Sequence, residues 1–253
     1  MNVPMFSLEG KVAVVSGASS GIGHAIALGY AKAGAQLVMA SRNLPTLEKA
    51  AYEVKKLGKP PLVVPTDISQ KSDIDNLVRK AVDRFGAIDV MVNDPASTIL
   101  KPLMDVEESE WDAIMDVNLK GFYLLCRACG MVMREKKKGS IINMTSNLGF
   151  KVSPRMPVYS VAKAGIIMLT KALAVELGPY QIRVNAIAPG LTKTEFSFNP
   201  QQNEAYREMK AQQNPLRRLA EPEDMVGAAI YLGSDASAFV NGHILVVDGG
   251  DLA

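Results

Sequence analysis

Continuous apolar segments rich in β-branched residues recur along the chain and alternate with segments of helical spacing. Such continuous runs are typical of strands buried on both faces, as in a parallel sheet. The pattern predicts strands over residues 11–16, 36–41, 61–66, 89–93, 140–145, 183–188 and 243–247. It predicts helices over residues 22–33, 46–57, 71–85, 111–133, 158–177 and 222–232. Because strands and helices alternate, we predict an α/β, doubly wound fold with a seven-stranded, mainly parallel sheet flanked by helices.

The chain shows no linker, low-complexity tract or change in composition that would divide it. We therefore predict a single domain over residues 1–253, a length that allows a sizeable core. The longest stretch without a strong strand signal is 191–237. Insertions of this kind are often lids or substrate elements, so we predict a substrate loop or lid over about 191–215. Ordinary surface helices would also explain this stretch.

Charge and cysteine content exclude several classes of protein. The chain has 28 Lys and Arg against 26 Asp and Glu, so its net charge is close to zero. This argues against broad nucleic-acid binding, which needs a clustered basic face. No run approaches the roughly 18–20 apolar residues of a membrane span, and the first residues do not resemble a secretory signal. Cys126 and Cys129 lie in an apolar helical stretch, where burial is a better explanation than redox or metal chemistry. We therefore expect a cytoplasmic protein without a metal site.

The first predicted strand leads directly into a glycine-rich loop, Ser-Gly-Ala-Ser-Ser-Gly-Ile-Gly over residues 16–23. Gly17 permits a tight turn, Gly21 lets a pyrophosphate approach the backbone, and Gly23 lets the following helix pack closely on the strand. The helix N-terminus offers unpaired N–H groups and a positive dipole end. Between the first strand and the first helix, this loop indicates a dinucleotide site in a Rossmann fold.

The end of the second strand bears on the choice of dinucleotide. An acidic residue about 20 residues past the glycine loop would bind the ribose 2′-hydroxyl and select NAD. No acid occurs between residues 36 and 47. Ser41 can donate to a phosphate, and the Arg42 guanidinium can pair with one. We therefore hypothesise NADP(H) rather than NAD(H), the alternative being that Arg42 is a solvated loop residue.

Further motifs follow in a fixed order along nearly the whole chain. They are Asp67 after strand three, Asn118 in Asp-Val-Asn-Leu, Ser146 ending strand five, the Tyr159/Lys163 pair, Pro-Gly-Leu-Thr-Lys-Thr over 189–194 and Val-Val-Asp-Gly-Gly over 246–250. Together with the glycine loop, these motifs resemble those of the short-chain dehydrogenase/reductase family from residue 8 to residue 250.

The resemblance implies the catalytic residues Asn118, Ser146, Tyr159 and Lys163. Tyr159 would donate a proton to a carbonyl as hydride moves from the nicotinamide, and Ser146 would hydrogen-bond the carbonyl oxygen. Lys163 would hold the nicotinamide ribose, and Asn118 would anchor a water in a proton relay. A tyrosine pKa is ordinarily near 10 and a neighbouring ammonium lowers it, so we expect Lys163 to lower the pKa of Tyr159.

The same motifs imply a set of cofactor-binding residues. They are Gly17, Ser19, Ser20, Gly21, Ile22, Gly23, Ser41, Arg42, Asp67, Ile68, Asn93, Tyr159, Lys163, Pro189, Gly190, Thr192 and Thr194. One motif departs from the family, which usually has Asn-Asn-Ala-Gly after strand four, where this chain has Asn-Asp-Pro-Ala over 93–96. Pro95 removes a donor and fixes φ, and Ala96 replaces a glycine, so either change could alter the path of this loop.

Apolar side chains between the Ser146 and Tyr159 motifs, and in the later insertion, indicate the substrate pocket. We predict that it contains Leu148, Phe150, Met156, Phe196 and Phe198. These residues favour a hydrophobic ketone or alcohol. The nearby charges of Lys151, Arg155 and Lys193 leave open an acidic or acyl-carrier substrate.

Taken together, the sequence predicts an NADP(H)-dependent oxidoreductase acting on a small ketone or secondary alcohol. The alternatives are a 3-oxoacyl-thioester reductase and, in another class, a cofactor-binding regulatory or scaffold protein with little turnover, which only the altered segment 93–96 supports. The resemblance also implies a homotetramer. Its helix contacts could use the small-residue face of Ala162, Gly165, Ile166 and Leu169, although this face could equally pack on the chain's own sheet.

Overall fold

A computed structural model describes residues 4–197 and 204–253 and contains one parallel sheet of seven strands within them. Hydrogen-bonded neighbours follow the order β3-β2-β1-β4-β5-β6-β7. The strands are β1 (Val12–Ser16), β2 (Gln36–Ser41), β3 (Leu62–Pro65), β4 (Val90–Asn93), β5 (Gly139–Met144), β6 (Ile182–Pro189) and β7 (Ile244–Val247). The predicted doubly wound Rossmann sheet is confirmed.

Helices connect the strands and cover both faces of the sheet. They are α1 (Gly21–Lys32), α2 (Leu44–Lys55), α3 (Lys71–Phe85), α4 (Glu108–Met115), α5 (Gly121–Lys136), α6 (Pro157–Leu177), α7 (Glu204–Gln213) and α8 (Val226–Gly233). The strand order doubles back at β1, which has β2 on one side and β4 on the other. A ligand-binding crevice is expected at this point, outside the carboxyl ends of the strands.

Burial on both faces explains the continuous apolar runs of the strands. On one face, Phe122 of α5 and Ile166 of α6 pack with Met91 of β4, and all three are fully buried. On the other face, Ile26 of α1 and Leu232 of α8 are likewise fully buried. The sheet is therefore the middle layer of three, as its sequence pattern requires.

The helices differ from the sequence prediction in two places. The predicted helix over 111–133 extends from α4 to α5 through a π-helical turn, Asp116–Lys120. Helix α7 lies within the predicted loop over 191–215, and none of its residues is buried. Helix α7 is predominantly polar, with Tyr206 and Met209 as its large apolar side chains, whereas a recurring set of apolar residues was the signal used to find the others.

Helix α6 is a core helix. Ala162 and Ile166 are fully buried inside the chain, so this part of the small-residue face packs on its own sheet. Among the described residues, only the segment Pro157–Tyr180 is long and apolar enough to cross a membrane by length and composition, and more than half of it is buried. The outer side of α6 exposes Val161, Met168 and Val175. The homotetramer stays a prediction.

Candidate active site

A cleft of about 560 Å³ lies at the carboxyl edge of the sheet. The loops that follow β1 to β6 line it, because parallel strands end on the same edge. Arg42 follows β2 and Ser146 follows β5, three positions along the sheet. At the usual strand spacing, their strands are roughly 14 Å apart. The cleft is therefore long enough to hold an extended ligand.

The glycine loop at one wall of the cleft requires its glycines. Gly17 and Gly21 adopt left-handed backbone conformations, with φ of 74° and 58°. A Cβ on Gly23 would strike the Gly17 carbonyl oxygen and lie 2.9 Å from Oδ2 of Asp94. The N-cap residue of α1, Ser20, makes no side-chain capping bond. The tight turn and a helix N-terminus that its own N-cap side chain leaves unbonded fit the pyrophosphate of a dinucleotide.

A second polar subsite lies at the end of β2. The hydroxyls of Ser19 and Ser41 are 2.9 Å apart, and both residues line the cleft with Arg42. Arg42 is exposed, and no carboxylate in the described part of the chain pairs with it. Asp67 lies on the same wall, where its Oδ1 accepts from the N–H and the hydroxyl of Ser69 at 2.9 Å and 2.8 Å. This subsite can hold the adenosine part of a dinucleotide, including a phosphate.

The predicted catalytic side chains Ser146, Tyr159 and Lys163 meet at the other wall. Ser146 follows β5, and its Oγ accepts the N–H of Leu148 at 3.1 Å. Tyr159 and Lys163 lie on the first turns of α6, with only 8% and 2% of their surfaces exposed. The Lys163 ammonium donates to the Met144 carbonyl at 2.7 Å and lies 5.4 Å from the centre of the Tyr159 ring.

Burial governs the ionisation of this group. It raises the pKa of Tyr159 above its ordinary value; the Ser146 hydroxyl opposes the increase, and the charge of Asp94 adds to it. The pKa of Tyr159 therefore shifts in the opposite direction to the one expected from Lys163, because desolvation is the largest influence and the Lys163 charge is not among the groups that shift it. Burial also lowers the pKa of Lys163 to about 8, against the opposing charge of Asp94. Tyr159 is thus protonated at neutral pH and suited to donate a proton.

Most of the predicted cofactor residues line the cleft together. They are Gly17, Ser19, Ser20, Gly21, Ile22, Ser41, Arg42, Asp67, Ile68, Tyr159, Lys163, Pro189, Gly190, Thr192 and Thr194. Gly23 lies behind this wall, where its lack of a side chain allows the turn.

Two asparagines with predicted functions are instead buried in the structure. Asn93 accepts from the Ser16 hydroxyl at 3.1 Å and donates to the Phe122 carbonyl at 3.4 Å, so it joins β1, β4 and α5. Asn118 donates to the Ser97 carbonyl at 2.6 Å and accepts the Ser97 N–H at 2.9 Å. Neither side chain lines the cleft. The water relay through Asn118 stays a prediction.

The predicted substrate pocket is only partly assembled. Leu148, Met156 and Phe196 line the cleft, and the Phe196 ring lies 5.6 Å from the Tyr159 ring. Phe150 is half exposed and does not line the cleft, because it follows the short helical turn after Ser146 and points to solvent. Phe198 lies outside the described residues.

The sequence marks Lys151 as a nearby charge but predicts no role in the cleft for Asn147, Asp251, Lys210 or Asp94. Asn147 donates to Asp251 Oδ2 at 2.6 Å, and Lys151 forms an ion pair with the same carboxylate at 2.8 Å. Lys210 of α7 and Asp94 after β4 also line the cleft. The departure from the family motif could have drawn attention to Asp94. The Asn147–Asp251 contact joins residues that are 104 positions apart, so no local sequence pattern could have indicated it.

Two further findings concern possible metal ligands and the two cysteines. Across residues 4–197 and 204–253, no cluster of three His, Cys, Asp or Glu side chains could hold a metal ion. Cys126 and Cys129 are free thiols buried within α5, and burial raises the pKa of both. Buried thiols of raised pKa are poor nucleophiles and ligands.

Known proteins resemble the chain over nearly its whole length. The family model described as Enoyl-(Acyl carrier protein) reductase matches residues 17–251. The 5-keto-D-gluconate 5-reductase of Escherichia coli (strain K12) is 36% identical over 251 residues, which are 98% of each chain. The 3-oxoacyl-acyl-carrier-protein reductase FabG of Thermotoga maritima is 36% identical over 245 residues, 96% of this chain and 98% of that one.

A solved structure agrees with these matches. The gluconate 5-dehydrogenase of Burkholderia cenocepacia, in complex with NADP and tartrate, superimposes with a TM-score of 0.94 at 31% identity, covering 100% of this chain and 99% of that one. The fold, the order of the motifs and the relatives all indicate the same family. The chain belongs to the short-chain dehydrogenase/reductase family and is an oxidoreductase that acts on CH–OH groups with a nicotinamide cofactor.

Proposed function

We propose that this enzyme uses NADP(H) to interconvert a secondary alcohol and a ketone in a polar, hydroxylated acid. The observation that carries the proposal is a single cleft with Ser41 and Arg42 on one wall and Ser146, Tyr159 and Lys163 on the other. We further propose that residues 1–253 form one domain in which α7 belongs to a lid within 191–215. The cytoplasmic location stays a prediction.

The chain's own residues would manage the proton and the developing charge. In ketone reduction, Tyr159 donates its hydroxyl proton to the carbonyl oxygen, and its raised pKa keeps that proton in place until then. Ser146 Oγ donates a hydrogen bond to the same oxygen as negative charge develops there. The Lys163 ammonium, held by the Met144 carbonyl, stabilises the phenolate left on Tyr159. The bound cofactor would supply the hydride.

The first prediction concerns the choice of cofactor. Arg42→Ala should raise the Kd for NADPH about tenfold and leave that for NADH nearly unchanged, since an exposed charge-assisted bond to the 2′-phosphate contributes about 1.5 kcal/mol. Fluorescence titration with both cofactors measures this change. Arg79→Ala, on the exposed side of α3 and remote from the cleft, is the matched control. Equal losses with NADPH and NADH, or a wild type that prefers NADH, would contradict the choice of NADP(H).

The lining of the cleft favours a polar substrate over the hydrophobic one expected from sequence. The polar Asn147 and Asn214 line the cleft beside the apolar Leu148 and Phe196, and their amides bond the Asp251 carboxylate and the Asp248 carbonyl. Lys210 of α7 bonds the Gln213 side-chain oxygen at 3.1 Å, and no carboxylate among the described residues pairs with it. Its ammonium is thus available to a substrate carboxylate. The names of the gluconate and keto-gluconate relatives support the same class of substrate.

The second prediction concerns that carboxylate. Lys210→Gln should raise KM for 5-ketogluconate about tenfold, because one ion pair at a partly exposed site contributes on the order of 1 kcal/mol or more. The KM for an uncharged hydroxyketone should not change. Lys80→Gln, on the exposed side of α3, provides the charge-matched control. Parallel changes in KM for the charged and uncharged substrates would assign Lys210 a general effect on the lid instead.

A second candidate function is reduction of a 3-oxoacyl thioester. It is favoured by the Thermotoga maritima relative, at the same 36% identity, and by the apolar wall of Leu148, Met156 and Phe196. A panel of 5-ketogluconate, a 3-oxoacyl thioester and simple ketones, assayed with both cofactors in both directions, separates the candidates. A higher kcat/KM for the thioester than for the keto acid would replace the first proposal by the second.

A further inference from the structure

Asp94 is a carboxylic acid that neither the proton transfer nor the cofactor contacts described above use. It stands in the segment Asn-Asp-Pro-Ala, at the position where the family usually has asparagine. It follows β4, lines the cleft and is partly open to it, and protein atoms enclose it on the other sides. An ionisable group has thus replaced a neutral one at the centre of the site.

Contacts place the Asp94 carboxylate at the N-terminus of α1. The backbone N–H of Gly23, in the first turn of the helix, faces the carboxylate and favours its ionised form. A Cβ on Gly23 would lie 2.9 Å from Oδ2 of Asp94, and one on Gly17 would lie 3.4 Å from its Cβ. The side chain of Ser20 does not cap this helix, and Asp94, from the loop after β4, serves as its anionic cap instead.

Other charges at Asp94 come from α6. Among the described residues, the titratable groups that interact with it are Lys163, whose charge favours the carboxylate, and Tyr159. From the glycine loop and the first turn of α1, Gly17 and Gly23 approach it closely, and the Gly23 N–H bonds to it. Burial outweighs Lys163 and Gly23 and raises the pKa of Asp94 to about 7. In the cofactor-free protein the side chain therefore gains and loses its proton near neutral pH.

The same helix N-terminus is where a Rossmann site receives the pyrophosphate of its cofactor. Two anions then compete for one set of N–H groups and one dipole. The arriving phosphates disfavour the ionised carboxylate, and the cofactor also excludes water from the open side of Asp94. Both effects act in the same direction, since each stabilises the protonated acid relative to the carboxylate.

We propose that Asp94 is a proton-linked positioning residue: it takes up a proton when the dinucleotide binds, so that cofactor affinity depends on pH through this one side chain. The inference rests on the proposed use of NADP(H). The direction of the pH dependence follows from the linkage between proton binding and cofactor binding. Below about pH 7 the acid is already protonated and binding takes up no proton at it; above that pH, affinity falls by up to about tenfold per unit until the pKa of the complex is passed.

Calorimetric titration of the full-length protein with NADPH, in two buffers of different ionisation enthalpy, measures proton uptake directly. At pH 8 we expect a substantial fraction of one proton per site and a Kd that rises from pH 7 to pH 9. With D94N, which has the residue usual in the family, that dependence should be largely lost. Ionisation of the 2′-phosphate contributes equally to both proteins and cancels in the difference. NADP⁺, with one more positive charge, should give a smaller uptake than NADPH.

Infrared difference spectra distinguish proton uptake by Asp94 from proton uptake by Lys163, whose pKa of about 8 lies in the same pH range. A protonated-carboxyl band that appears on NADPH binding and is missing in D94N supports the proposal. Zero proton uptake by the wild type between pH 7 and pH 9 overturns it without any variant, as do parallel Kd–pH curves for wild type and D94N. Absence of binding by both NADPH and NADH would overturn the proposed function, and this inference with it.

Discussion

Replacing Tyr159 with phenylalanine is expected to lower kcat for ketone reduction by about 10³-fold, because a positioned general acid contributes roughly 10²–10⁴-fold. The hydroxyl is the only part lost, and the ring can keep its contact with Phe196 at 5.6 Å between centres. The Kd for NADPH should therefore change little. Steady-state kinetics with the best substrate of the panel, together with a fluorescence titration of NADPH, measure the two quantities separately.

The control for Tyr159→Phe is the same substitution at a surface tyrosine. Tyr52 on α2 is 61% exposed and far from the cleft, so Tyr52→Phe should leave kcat unchanged. Unimpaired turnover by Tyr159→Phe would remove this residue from the mechanism. A large loss of NADPH affinity with kcat preserved would make Tyr159 a binding residue, and a lower melting temperature in this variant alone would point to a structural role for the hydroxyl.

The fold could be predicted because burial on both faces of the sheet is recorded in single segments of sequence. Most strands carry a continuous apolar run, such as Val12–Val15 in β1, and the core helices have an apolar face, as in α1 with Ile26 and Tyr30. Helix α7 escaped detection since it has no buried residue. The glycine loop was recognisable for a similar reason: its function depends on eight consecutive residues, and Gly17 and Gly21 have the positive φ that such a turn requires.

Contacts between distant segments could not be predicted from sequence in the same way. Asn93 and Asn118 matched family motifs, but their hydrogen bonds to Ser16 and Ser97 depend on how β1, β4 and the π-helical turn meet. The pKa of Tyr159 likewise depends on the enclosure formed by the fold, and a residue four positions away in the helix was a poor guide to it. Asp94 acquires its importance only where β4 meets the first turn of α1.

Substitution of Gly23 by alanine is expected to raise the Kd for NADPH about 100-fold and to lower the free energy of unfolding by about 1–3 kcal/mol. The new Cβ would strike the Gly17 carbonyl oxygen, lie 2.8 Å from the carbonyl carbon and approach Asp94 Oδ2 at 2.9 Å. Two of these atoms are backbone, so no side-chain rotation relieves the overlap, and the loop itself must shift. A displacement on the order of 1 Å misaligns the N–H groups that would face the pyrophosphate.

Gly227→Ala is expected to change the free energy of unfolding in the opposite direction, and it therefore tests whether steric overlap causes the loss in Gly23→Ala. Gly227 lies in α8, where a Cβ would meet nothing within 4 Å, and alanine is favoured over glycine in a helix by about 0.5–1 kcal/mol. Urea unfolding should therefore show Gly227→Ala at or above wild-type stability with the same Kd for NADPH. Gly23→Ala should also gain stability from the higher helix propensity of alanine. Its measured loss of stability is therefore the cost of the steric overlap minus that gain. Wild-type stability together with wild-type NADPH affinity in Gly23→Ala would contradict the close approach of α1 to the glycine loop on which the cofactor site depends.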